Sequence, residues 1–91
     1  MSTYKERREQ REQRRRMGLN IMSLVSAARS LGKDALTGDV EHDAAIILEQ
    51  FICQNKDAVA AEMSNVGINW DIILEWIEKL MPIILLIISF L

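Results

Sequence analysis

The sequence predicts an all-α fold of three helices, over about residues 3–31, 40–63 and 69–91. Three observations carry this expectation. Only one proline and four glycines occur in 91 residues, and good helix formers fill most of the chain. Apolar side chains recur at helical spacing in each stretch. The breaks between stretches hold glycines and the capping residues Asp39 and Asn69.

The first helix starts where Ser2 or Thr3 can cap it. At 100° per residue, Arg7, Arg8, Arg11, Arg14 and Arg15 share a sector about 120° wide, while Glu6, Glu9 and Glu12 occupy another. Farther on, Met17, Ile21, Leu24, Ala28 and Leu31 alternate spacings of four and three, which makes a short packing seam. Gly18 interrupts that seam at a cost of about 1 kcal/mol against alanine, so a soft joint is expected there.

Gly32, Thr37, Gly38 and Asp39 mark a turn, and Asp39 caps the second helix with Glu41 and Asp43 in its first turn. The apolar stripe of that helix runs Val40, Ala44, Ile47, Leu48, Phe51, Ile52, Val59 and Met63, with a polar gap at Asn55 and Lys56. Residues 64–67 end it. Asn69 then caps a third helix in which Asp71, Glu75 and Glu78 share a face and Lys79 follows Glu75 at i+4. From Ile83 to Leu91 that helix is apolar on every side except at Ser89.

Composition excludes several function classes. A single cysteine, Cys53, cannot close an internal disulfide, and with one histidine, His42, no Cys/His zinc site can be built within the chain. No Gly-rich phosphate loop, nucleophile elbow or HExxH pattern is present, so the expected protein is non-enzymatic, with no cofactor and no small-molecule substrate. The net charge of −2 hides a basic end, because residues 1–16 carry seven basic side chains against three acidic ones. The chain therefore reads as a basic arginine-striped arm (1–16), a small amphipathic helical domain (17–67) and an amphipathic-to-apolar anchor helix (68–91).

The anchor needs a host other than water. A crossing of the bilayer core takes about 20 residues. Leu80 to Leu91 is too short, and an extension back to Trp70 reaches that length only by carrying Asp71, Glu75, Glu78 and Lys79. The anchor set is Trp70, Trp76, Lys79, Ile83, Ile84, Leu85, Leu86, Ile87, Ile88, Phe90 and Leu91, with the tryptophans at headgroup level and Lys79 snorkelling. Arg7, Arg8, Arg11, Arg14 and Arg15 are the candidates for contact with nucleic acid, lipid phosphate or an acidic protein surface.

The expected protein is a membrane-tethered, self-associating structural or assembly component, of the layout a virion component would use, with its N-terminus on the cytoplasmic or virion-interior side. Two rivals share the same residues. A holin-like channel would turn Asp71, Glu75 and Glu78 to a lumen. A soluble homo-oligomer would bury the apolar tail between subunits.

Overall fold

The computed structural model describes residues 3–65 and 67–91. It is all-helical, with five α-helices and no strand among the described residues. They are α1 (Tyr4–Met17), α2 (Ile21–Leu31), α3 (Val40–Gln54), α4 (Lys56–Asn65) and α5 (Trp70–Phe90), with a 3-10 turn at Lys33–Ala35 between α2 and α3.

The expected first and second helices are each divided, and local chemistry explains both breaks. Gly18 adopts a left-handed φ of 76° and ends α1, with Leu19 N–H donating back to the Arg14 carbonyl at 2.7 Å. Asn20 then opens α2 through a reciprocal capping box with Ser23, at 3.0 Å and 2.8 Å. A soft joint thus becomes a full stop and restart. In the second stretch the break falls at the polar gap. Asn55 takes a non-helical backbone, φ −129° and ψ 39°, and its side-chain amide donates to the Phe51 carbonyl at 2.9 Å. The same carbonyl accepts the Asn55 backbone N–H at 3.0 Å, so Asn55 closes α3 with both its backbone and its side chain.

The expected starts hold. Thr3 caps α1 in a capping box with Glu6, Asp39 accepts from Glu41 N–H at 3.1 Å, and Asn69 accepts from Ile72 N–H at 3.4 Å. Ser2, the other candidate cap, and Val66, within the turn expected at 64–67, lie outside the described residues.

Helices α2, α3 and α5 pack on one another around a core of Leu24, Val25, Ala28, Ile47, Phe51, Ile73, Ile77, Met81 and Ile84. Helix α1 rests chiefly on α4 and gives the interior only Gln13 and Met17. The body measures 36 × 29 × 20 Å, and a 20 Å thickness matches two helical layers at the usual spacing of about 10 Å. Buried Asp43 organises the turn before α3. Its Oδ1 accepts from Thr37 N–H at 2.9 Å and its Oδ2 from Gly38 N–H at 3.0 Å.

The expectation of a membrane-inserting segment is corrected. No described helix is long and apolar enough to cross a membrane. The 21-residue α5 spends its first half on Asp71, Glu75, Glu78 and Lys79, and it turns Ile73, Ile77, Met81 and Ile84 into the bundle. A helix that fills the core with one face cannot also be surrounded by lipid without leaving the bundle.

Candidate anion groove and apolar face

The arginine sector of α1 divides in two once Glu12 is placed. Glu12 lies 3.6 Å from Arg8 and 3.7 Å from Arg16, and Arg16 also reaches 3.8 Å from Glu62. Arg7, Arg11, Arg14 and Arg15 have no carboxylate partner within 4 Å among the described residues. Arg7, Arg11 and Arg14, at i, i+4 and i+7, border a groove of about 570 Å³ whose opposite wall on α5 includes Glu75, Trp76 and Lys79. A second hollow, of about 530 Å³, adds Arg15 to Arg11, Arg14 and Trp76. Five cations therefore meet one carboxylate along this groove.

Arg14 is its centre. The guanidinium carbon stands 4.1 Å from the centroid of the Trp76 ring, a cation–π contact. The Nε–H is buried and without a hydrogen-bond partner. Burial, with Arg11 adding like-charge repulsion, moves the guanidinium below its ordinary pKa. Even so, a guanidinium stays protonated in proteins, so the cost appears as unrelieved positive potential. Trp76 was expected at a lipid headgroup and Lys79 as a snorkelling anchor. The structure brings both to the arginines, a juxtaposition across some sixty residues of sequence that no local pattern reveals. Trp70 is half-buried against the core.

The remaining anchor candidates separate by face. Ile84 lies wholly in the core, and Ile87 and Ile88 pack against it. Ile83, Leu85, Leu86, Phe90 and Leu91 are exposed, Phe90 at 82% and Leu86 at 57%. At 100° per residue Ile83, Leu85, Leu86 and Phe90 fall, with Pro82 and Ser89, in the same outward sector, about 160° wide, as Asp71, Glu75, Glu78 and Lys79, while Leu91 is the C-cap. One face of one helix is thus charged before Pro82 and apolar after it. The acidic trio that a channel would turn to a lumen shares its outward strip with Lys79, on a helix that is not long and apolar enough to cross a membrane.

Other polar constellations are structural. Thr37, His42 and Asp43 resemble a relay, yet His42 Nδ1 makes both contacts, at 3.3 Å to Thr37 Oγ1 and 3.2 Å to Asp43 Oδ1. A relay needs the two ring nitrogens to face different partners. Burial opposes the Asp43 charge, but donation from Thr37 N–H, His42, Gly38 N–H and the Thr37 hydroxyl outweighs it and holds the carboxyl below its ordinary range. Cys53 is exposed on α3. Among the described residues no group of His, Cys, Asp and Glu side chains could hold a metal ion.

No known family model matches this sequence, and it matches no curated protein and no solved structure.

Proposed function

We propose that this chain is a non-enzymatic structural or assembly protein that attaches to a membrane surface through the outward apolar half of α5, lying in the interface without crossing it. The observation that supports this reading is the change of that face at Pro82. Ile83, Leu85, Leu86 and Phe90 stand exposed in sequence on a helix whose other side completes the core. Covering such half-exposed side chains returns roughly 1 kcal/mol each, enough in sum for reversible attachment. The upstream charged half stays in water, and α1 remains free to meet an anionic partner.

Vesicle flotation of the intact chain beside a Leu86→Ser, Phe90→Ser double variant tests the reading. The intact chain floats and the variant stays at the bottom. A chain cut at Lys79 is the wrong comparison, because it loses Met81 and Ile84 from the core. Equal flotation of intact chain and variant sinks the proposal. So does an intact chain that ignores vesicles and sediments as an oligomer dissociated by the same substitutions, which assigns the face to sister subunits.

A further inference from the structure

Resting on the surface attachment proposed above, we infer that the α1–α5 groove binds the phosphate headgroup of an anionic phospholipid, with Arg7, Arg11, Arg14 and Lys79 as its donors and Trp76 as its floor. The charge segregation within α1 points to an anion. Glu12 neutralises the far side, while the groove side keeps four guanidinium groups without a carboxylate within 4 Å and leaves the Arg14 Nε–H buried and unpartnered. Guanidinium groups suit phosphate because their planar forks donate two parallel hydrogen bonds.

The direction in which the groove ends points to lipid. On α5, Trp76 and Lys79 share a sector about 80° wide with Ile83, Ile87 and Phe90, so the cationic wall continues along the helix into an apolar strip. Ile83 lies about 6 Å and Phe90 about 16 Å beyond Lys79 along the axis. With α5 tilted into the surface, those distances set the strip below the level of Lys79, toward the 5–10 Å depth to which interfacial helices bury their apolar face. Cations level with phosphates and an apolar strip level with acyl chains are what an anionic bilayer surface meets. Nucleic acid accounts for the cations and leaves the strip uncovered, and one face of Trp76 is already taken by Arg14. A second copy docked here about a two-fold axis brings the same cations face to face.

The test uses the full chain and vesicles of phosphatidylcholine with or without 30% phosphatidylglycerol, at fixed salt. Binding is expected to be at least tenfold tighter with phosphatidylglycerol. The Arg11→Gln, Lys79→Gln pair is expected to lose about fivefold per charge, about 25-fold together. A control pair of equal charge loss, Lys5→Gln and Lys56→Gln, changes binding less than threefold. All four side chains are exposed, and circular dichroism checks that each variant stays folded.

Equal binding to both vesicle types overturns the headgroup site and leaves the apolar attachment standing. Equal loss in the control pair overturns it as well, since charge alone then explains the effect. No vesicle binding at all overturns both proposals. Two soluble probes complete the set. Glycerol phosphate binding as tightly as the vesicles makes this a free-phosphate site, and a single-stranded oligonucleotide doing so, with loss in the Arg11, Lys79 pair, makes it a nucleic-acid site. Either result overturns the lipid assignment.

Discussion

Arg16 stands 3.8 Å from Oε2 of Glu62, an oxygen that is buried and has no hydrogen-bond partner. This is the electrostatic join between α1 and α4, and it is loose. A buried carboxylate held at that distance recovers little of its lost hydration. Glu62→Met is therefore expected to keep or raise the melting temperature, by up to about 5 °C. Arg16→Ala removes the carboxylate's cation and lowers it, moderated because half of Arg16 is exposed. Thermal melts of both variants check the pair, and a large fall for Glu62→Met contradicts the account.

Asp43 sets an acid limit on stability. Its folded pKa lies below its unfolded value of about 3.9, so its contribution is complete above that value and is lost as pH falls through the folded one. Asp43→Asn replaces an acceptor of four donors by a group that brings donors of its own. It is expected to cost about 1–3 kcal/mol at pH 7 and to flatten the fall in stability below pH 4. Urea unfolding from pH 2.5 to 7 measures both.

Ile84 and Leu86 are near neighbours in sequence with opposite surroundings, one fully buried and the other 57% exposed. Ile84→Ala is expected to cost about 2–5 kcal/mol, a large share of what a domain of this size has. Leu86→Ala is expected to stay within about 0.5 kcal/mol in the absence of vesicles. Denaturant titration separates them, and equal costs contradict the placement of the outward face.

Gly18→Ala is expected to lower stability by about 1 kcal/mol, or roughly 4–8 °C in melting temperature. No atom crowds the added methyl, so the whole cost is the left-handed backbone, and Gly18→Asn recovers part of it. A loss that asparagine leaves unchanged contradicts this reading.

Helix content, the caps at Thr3, Asp39 and Asn69, and the arginine sector were legible in the sequence because each depends on residues within one or two turns. The full break after α1 was written there too, as Gly18 followed by the Asn20–Ser23 box, but a continuous apolar seam from Met17 to Leu31 masks it. What lay beyond reach was lateral. Ile83 to Phe90 are nearly all apolar, so periodicity cannot select the strip that meets the core. Nor does anything near Trp76 announce that Arg14 covers it. The same holds for Asp43, which looks like one more acidic residue in a first helical turn until Thr37 and Gly38 fold back on it.

Helix α1 carries most of the chain's positive charge and, like α4, gives the interior only two side chains, one of them the amide Gln13. Its opening free energy therefore belongs at the low end for this bundle, well below that of global unfolding. An anion held between α1 and α5 binds the docked arrangement better than the open one and so deepens the docked well by RT ln(1 + [L]/Kd). On the lipid-headgroup proposal, occupancy of the groove and the hydrogen-exchange lifetime of α1 amides are then two readings of one equilibrium, and the arm would act as a gauge of the surface it meets.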